Sequence, residues 1–224
     1  MKKLFTIIAL VAISLFVFTA CEKQGEEAGK HKGHEYVDLG LSVKWATCNV
    51  GANSPEEYGD YFAWGEVEPK EIYSWSTYKY GTDYDQLAKY CNNSSYGKDC
   101  FTDNKTVLDP EDDAATANWG GAWRMPTYKE MDELETKCTW DWTTQNGVDG
   151  YKVTGPNGNS IFLPAAGRMD EGVFYRAGSL GDYWSSSLYT DYPSYAYNVY
   201  LDLDFVVLGS SPRNYGQSVR PVCQ

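Results

Sequence analysis

The sequence predicts an α+β fold, with two helices, several short antiparallel strands and long loops. Helix-start signals stand at Asp109-Pro110 and at Thr127. From residue 139 onward, turn sequences separate short β-prone runs. After the N-terminal segments, about 190 residues remain, a length that suits one domain, and a hydrophobic content of 42% supplies its core.

The first β-prone segment is Val43-Lys44-Trp45-Ala46-Thr47, followed by the aromatic strand Tyr61-Phe62-Ala63-Trp64 before Gly65. Residues 67–107 form a polar insertion rich in Tyr, Ser, Asn and Asp without a clear period. Loops of that length in a compact domain are usually functional or disordered. Asp109 suits the N-cap of the first helix and Pro110 its first turn, with Glu111, Asp112 and Asp113 at the positive end. The helix is expected to end at Gly120-Gly121, where glycine accepts positive φ. The second helix is expected over about Tyr128–Lys137. Thr127 and Glu130 form a capping box, and Met131, Leu134 and Cys138 share one face. Asn146-Gly147 and Pro156-Asn157-Gly158-Asn159 are turns between strands at Trp140–Thr144, Tyr151–Thr154 and Ser160–Leu163. Ala196 to Phe205 alternates in places, and Ser218–Val222 closes the domain. There is no internal repeat.

Residues 1–20 read as an export signal. Lys2 and Lys3 precede an apolar run of 15 residues, Leu4 to Phe18, too short and wrongly flanked for a membrane span. Phe18-Thr19-Ala20-Cys21 is similar to a lipobox, which makes Cys21 the expected lipidation site and the start of the mature chain. Residues 21–34 are polar, lack apolar periodicity and are expected to be a flexible tether, leaving 35–224 as the single domain. Removing Lys2 and Lys3 from the 19 basic side chains leaves 17 against 31 acidic ones, a net of −14. Such a surface repels phosphate backbones, so nucleic acid is not an expected partner. The membrane is reached through the lipid anchor alone.

Beyond Cys21 there are five cysteines, Cys48, Cys91, Cys100, Cys138 and Cys223, an odd number that leaves at least one unpaired within the chain. Cys91 and Cys100 are close enough in sequence to staple the loop between them. Cys138 reads as a small buried side chain on the helix face. None has the spacing of a zinc or redox pair. Both histidines, His31 and His34, fall in the expected tether, so no Ser-His-Asp or Cys-His constellation is available in the domain.

The run from Asn118 to Leu134, which joins Asn118-Trp119-Gly120-Gly121 and Trp123-Arg124 to the helix start at Thr127, resembles the signature of the Fibrobacter succinogenes major paralogous domain, a family common in surface lipoproteins of Bacteroidota. The segments Tyr36–Gly51, Tyr183-Trp184-Ser185-Ser186-Ser187 and Ser218-Val219-Arg220-Pro221-Val222 carry the same resemblance, which spans residues 35–223 in order. It implies a C-type-lectin-like fold, related to that of formylglycine-generating enzymes, in which the chain ends meet and bring Cys48 and Cys223 near each other. Glu22, Glu26 and Glu27 resemble the acidic patch that sends such lipoproteins to the outer face of the outer membrane. The related enzymes depend on a reactive cysteine pair late in the chain, and residues 165–222 contain no cysteine, so the protein is expected not to be an enzyme.

Asp109-Pro110-Glu111-Asp112-Asp113 is a candidate calcium site, but helix capping explains the same charges. Some lectins of the implied fold bind calcium and sugar through Glu-Pro-Asn, and Glu68-Pro69-Lys70 carries lysine at the second ligand position. No cofactor or metal is expected. Trp123 is expected in the core, Arg124 against a buried carboxylate, and Arg220 in a structural role. Of the 37 residues from Asp182 to Ser218, 20 are Tyr, Ser, Asp or Asn. That is the composition of a binding paratope, since tyrosine offers large contact area with few rotatable bonds. The candidate ligand-binding residues are Tyr189, Tyr192, Tyr195, Tyr197, Tyr200, Asn214 and Tyr215. The expected function is a lipid-anchored, non-catalytic cell-surface binding module for a glycan or protein. The alternatives are a structural or assembly component of the envelope, such as an adhesin or fimbrial accessory, and an enzyme on a formylglycine-generating-like scaffold.

Overall fold

Strands predominate in the computed structural model, which describes residues 29–224. The export signal, Cys21 and the acidic residues that follow it lie outside the described residues. The described part is α+β, with two α-helices among antiparallel sheets.

The expected tether is shorter than the sequence suggested. Gly29–His31 (β1) and His34–Val37 (β2) form a hairpin, with Gly29 opposite Tyr36 and His31 opposite His34. Polar side chains gave this hairpin no apolar alternation to read, because it is held by contacts with distant residues. The His34 ring stacks on Trp119 at 3.7 Å between centroids. His31 Nε2 accepts from the Ala122 amide at 2.9 Å, and the Trp123 indole donates to the His31 carbonyl at 3.0 Å. β2 continues the sheet through Lys44–Ala46 (β3) to Val222–Cys223 (β12) at the other end of the chain.

The first helix starts later than expected. Asp109-Pro110 opens only a 3-10 turn, Pro110–Asp112, and Asp113 caps the α-helix Ala114–Trp119 (α1) by accepting from the Thr116 amide at 2.9 Å. Tyr128–Lys137 (α2) has the expected bounds and cap. The Thr127 amide donates to Glu130 Oε2 at 2.8 Å, and the Glu130 amide reaches back to Thr127 Oγ1. α2 buries Met131 and Leu134 against a core that includes Trp45, Val153, Ile161 and Leu201.

Thr139–Gln145 (β4), Val148–Thr154 (β5) and Ser160–Pro164 (β6) form one antiparallel sheet. Asn146 (φ 49°) and Gly147 (φ 84°) make the two-residue turn between β4 and β5, the positive-φ geometry that Asn-Gly supplies. Arg168–Asp170 (β7) and Val173–Tyr175 (β8) form a short exposed hairpin that the sequence reading did not separate from its surroundings. Leu180–Leu188 (β9), Tyr195–Asp202 (β10) and Val206–Pro212 (β11) form the last sheet, in the order β11-β10-β9.

Tyr61-Phe62-Ala63-Trp64 is a buried extended segment rather than a strand of a sheet, bridged only at Phe62 to Gln217. Two reciprocal indole bonds lock it to β9. Trp64 Nε1 donates to the Ser185 carbonyl and Trp184 Nε1 to the Phe62 carbonyl, both at 2.8 Å. The 67–107 insertion contains 3-10 turns but no strand or α-helix, and its shape comes from its own aromatic residues. Tyr73, Tyr78, Tyr80 and Tyr90 are buried, joining a core with Phe62, Trp64, Ala115 and Trp184, and Leu87 is buried as well. Burying such a side chain contributes about 1.5–3 kcal/mol, so the insertion is an integral wall of the domain.

Candidate functional site

The insertion is pinned at two buried charges. Asp112 accepts from the Tyr80 hydroxyl, from the Tyr90 hydroxyl at 2.6 Å and from Lys89 Nζ at 2.5 Å. Burial alone would raise the Asp112 carboxyl; Lys89 and the two phenols outweigh it and bring it down to about 2. The side-chain oxygens of Asp109, Glu111 and Asp112 converge as a metal site would require, but Lys89 Nζ lies 3.1 Å from Asp109, 3.8 Å from Glu111 and 2.5 Å from Asp112. An ammonium group therefore occupies the centre of the acidic run, while Asp113 caps α1.

The second pin is Arg213, which is fully buried with no carboxylate in ion-pair distance among the described residues. Its Nε donates to the Tyr78 hydroxyl at 2.9 Å. Nη1 donates to the carbonyls of Tyr90 (3.1 Å) and Pro193 (2.9 Å), and Nη2 to that of Lys89 (3.0 Å). The guanidinium also lies over the Trp64 ring at 4.9 Å. One side chain thus ties the insertion to the connection between β9 and β10. Asn92 adds a second tie, donating to the Thr190 carbonyl at 2.9 Å.

Between the segments so joined is a cleft of about 310 Å³, lined by Trp75, Tyr84, Tyr96, Tyr192, Ser194, Tyr195 and Pro212. Tyr84 and Tyr192 are each 54% exposed. Tyr96 meets Tyr192 edge-on across the cleft, with centroids 6.5 Å apart. From Tyr192 a file of rings continues over the surface: Tyr189 at 6.0 Å, then Tyr197 at 5.1 Å, then Tyr128 on α2 at 4.3 Å. The buried tyrosines spend their hydroxyls internally; those of Tyr61, Tyr73, Tyr78 and Tyr183 all donate to backbone carbonyls. The hydroxyls of Tyr84, Tyr96, Tyr192 and Tyr195 have no partner among the described residues.

Of the residues expected to bind ligand, Tyr192 and Tyr195 line this cleft, and Tyr189 and Tyr197 extend it as half-buried rings. Tyr200 does not belong to it. Its ring stacks on Phe205 and its hydroxyl donates to Asp202 at 2.8 Å. Asn214, expected at the surface, is buried, as are Ser211 and Arg213 before it. Tyr215 is half-buried and packs against the Arg168 guanidinium rather than into the cleft. Trp75, Tyr84, Tyr96 and Tyr128 were missed, as was Arg213. The Tyr-rich composition of the insertion was the available signal for the first three, whereas nothing local marks Arg213 or the tyrosine that opens α2.

Other expectations place readily. Trp123 is buried, Arg124 makes a bidentate pair with Glu130 at 2.7 and 2.5 Å, and Arg220 is buried against Asn49 Oδ1 at 2.8 Å. The partner of Arg124, Glu130, is on α2. Cys48, Cys91, Cys100, Cys138 and Cys223 are all free thiols, so Cys91 does not staple to Cys100. Burial raises the Cys91 and Cys223 thiols and pushes Cys138 up to about 11, the direction opposite to nucleophile activation. His31 and His34 are both engaged with the Trp119–Trp123 segment.

Comparison with protein-family models, curated proteins and solved structures finds no match to the chain.

Proposed function

We propose that this protein is a non-catalytic binding module, displayed on the outer membrane by lipid on Cys21, whose glycan or protein ligand enters the aromatic cleft. The observation that carries this reading is the set of rings brought from two distant segments, with hydroxyls left unused inside the molecule. Solvent-exposed tyrosine in a cleft offers a large contact area with few rotatable bonds and a polar hydroxyl at its tip. The fold is taken to be C-type-lectin-like. The resemblance to the Fibrobacter succinogenes major paralogous domain family supports that, as does the pairing of β3 with β12, which brings an early and the last strand of the described domain together. The acidic composition argues against nucleic acid. Lys89 among the carboxylates argues against a resident calcium ion at the acidic run.

The test is a glycan and protein array probed with the full chain and with the Tyr192→Ala, Tyr195→Ala double variant. The variant is expected to lose the hits at an unchanged thermal midpoint, and hits that persist would remove the cleft from the proposal. The anchor is checked in parallel, since Cys21→Ser should abolish incorporation of labelled fatty acid.

A second reading, an assembly component of the envelope, is favoured by the exposed β7–β8 hairpin, where Val173 is 62% and Phe174 48% exposed. An apolar hairpin of this kind suits a protein contact more than a sugar.

A further inference from the structure

We infer that the ligand of the cleft is a neutral polysaccharide chain, bound lengthwise along the ring file from Tyr96 to Tyr128. The inference rests on the cleft being the binding site and adds the chemical class and direction of what it binds.

Charge is the first argument. No lining residue of the cleft is charged. The ionisable groups that adjoin the lining in sequence are Asp83 and Asp85 around Tyr84, Asp191 before Tyr192, Lys98 and Asp99 after Tyr96, and Arg213 after Pro212, whose guanidinium is buried and already donates to the Tyr78 hydroxyl and to backbone carbonyls. The four acidic groups thus outnumber one lysine and one buried arginine, on a chain whose net charge is −12. A uronate or sulfated sugar would enter without an arginine or lysine to pair with, against repulsion from its surroundings. Neutral sugar units meet no such opposition, and their hydroxyls can donate to the flanking carboxylates.

Shape and hydrogen bonding give the second argument. A pyranose ring has apolar C–H faces and a rim of hydroxyls. Tyrosine and tryptophan match the faces, and unpartnered phenol groups match the rim. An extended peptide bound by strand addition needs a row of backbone donors and acceptors. At the cleft, β11 ends in Pro212, which has no N–H to give.

Extent is the third argument. The rings continue from the cleft through Tyr189 and Tyr197 to Tyr128 in steps of 6.0, 5.1 and 4.3 Å between centroids. Tyr192 and Tyr189 stack within 20° of parallel, Tyr189 and Tyr197 meet at 87°, and Tyr197 and Tyr128 at 46°. Such a file offers successive contacts to a chain that runs along it, and more than one sugar would need.

The experiment is calorimetric titration of the full chain with neutral β-linked hexasaccharides of glucose, mannose and xylose. Matched trisaccharides, hexagalacturonate and a proline-rich peptide complete the panel. At least one neutral hexasaccharide is expected to bind, roughly tenfold more tightly than its trisaccharide, with little dependence on salt. Tyr84→Ala and Tyr192→Ala, both at exposed positions, should each weaken it by about tenfold, and Tyr128→Ala should affect the hexamer but not the trimer. Hexagalacturonate binding as well as the neutral sugars would overturn the class, as would binding of the peptide alone. In those cases continued sensitivity to Tyr192→Ala leaves the cleft reading intact. Failure of every neutral sugar overturns the inference outright. Binding that ignores Tyr84 and Tyr192 together would overturn the cleft itself.

Discussion

Arg213 sits where a buried guanidinium has only carbonyls, a phenol and aromatic faces for company. Removing it strands the carbonyls of Lys89, Tyr90 and Pro193, each an unpaired buried acceptor. Arg213→Ala is therefore expected to lower unfolding free energy by about 3 kcal/mol or more, measured by urea denaturation. Arg213→Lys should recover little, because a point charge cannot serve the same fork of acceptors. Asp182 makes a contrasting case. Burial pushes its carboxyl up to about 6, and Arg168 at 3.3 Å and Asn198 at 2.9 Å only partly offset that. A carboxyl raised on folding binds its proton more tightly in the native state, so stability falls as pH rises from about 3.8 to about 6 and stays reduced above that. Asp182→Asn should stabilise the protein at pH 8, on the order of 3 kcal/mol, with the gain vanishing near pH 4. A constant difference across pH would show that the charge is not its source. Neither residue was legible as a site from sequence, since burial and partners separated by more than 100 positions decide what Arg213 does.

Among the elements, α2 was fully legible and the β1–β2 hairpin was not. The α2 cap is local chemistry between Thr127 and Glu130, and the Asn146-Gly147 turn is likewise written in adjacent residues. The hairpin depends on Trp119, Ala122 and Trp123, some 90 residues away. Gly121 is the narrow point of that docking. It has φ +65°, and a Cβ there would collide with the His31 ring. Gly121→Ala is expected to release β1 while leaving α2 in place. Hydrogen exchange would then speed up at residues 29–31 and not at 131–137; uniform acceleration would mean global unfolding instead. α1 was legible in kind but misplaced at its start, because Asp113, not Asp109, offers the carboxylate that meets an open amide.

At the scale of the whole molecule, the class could be read from the order of helix and strand signals, while the cleft could not. Its walls come from residues 75–96 and 192–212, both tyrosine-rich in sequence, but composition does not say which of those rings meet. Residues such as Tyr200 and Tyr215 share that composition yet are spent on Asp202 and Arg168, because composition says nothing of which way a ring turns. The docked hairpin has one more consequence. With lipid on Cys21, as proposed, only the stretch to Gly29 separates the bilayer from the folded body, a leash that spans at most roughly 30 Å when fully drawn out. A domain so anchored would sweep a thin layer above the lipid and would not reach far into the medium. On that proposal, the polymers it would meet are those already lying against the cell, and its work would be retention there more than capture from a distance.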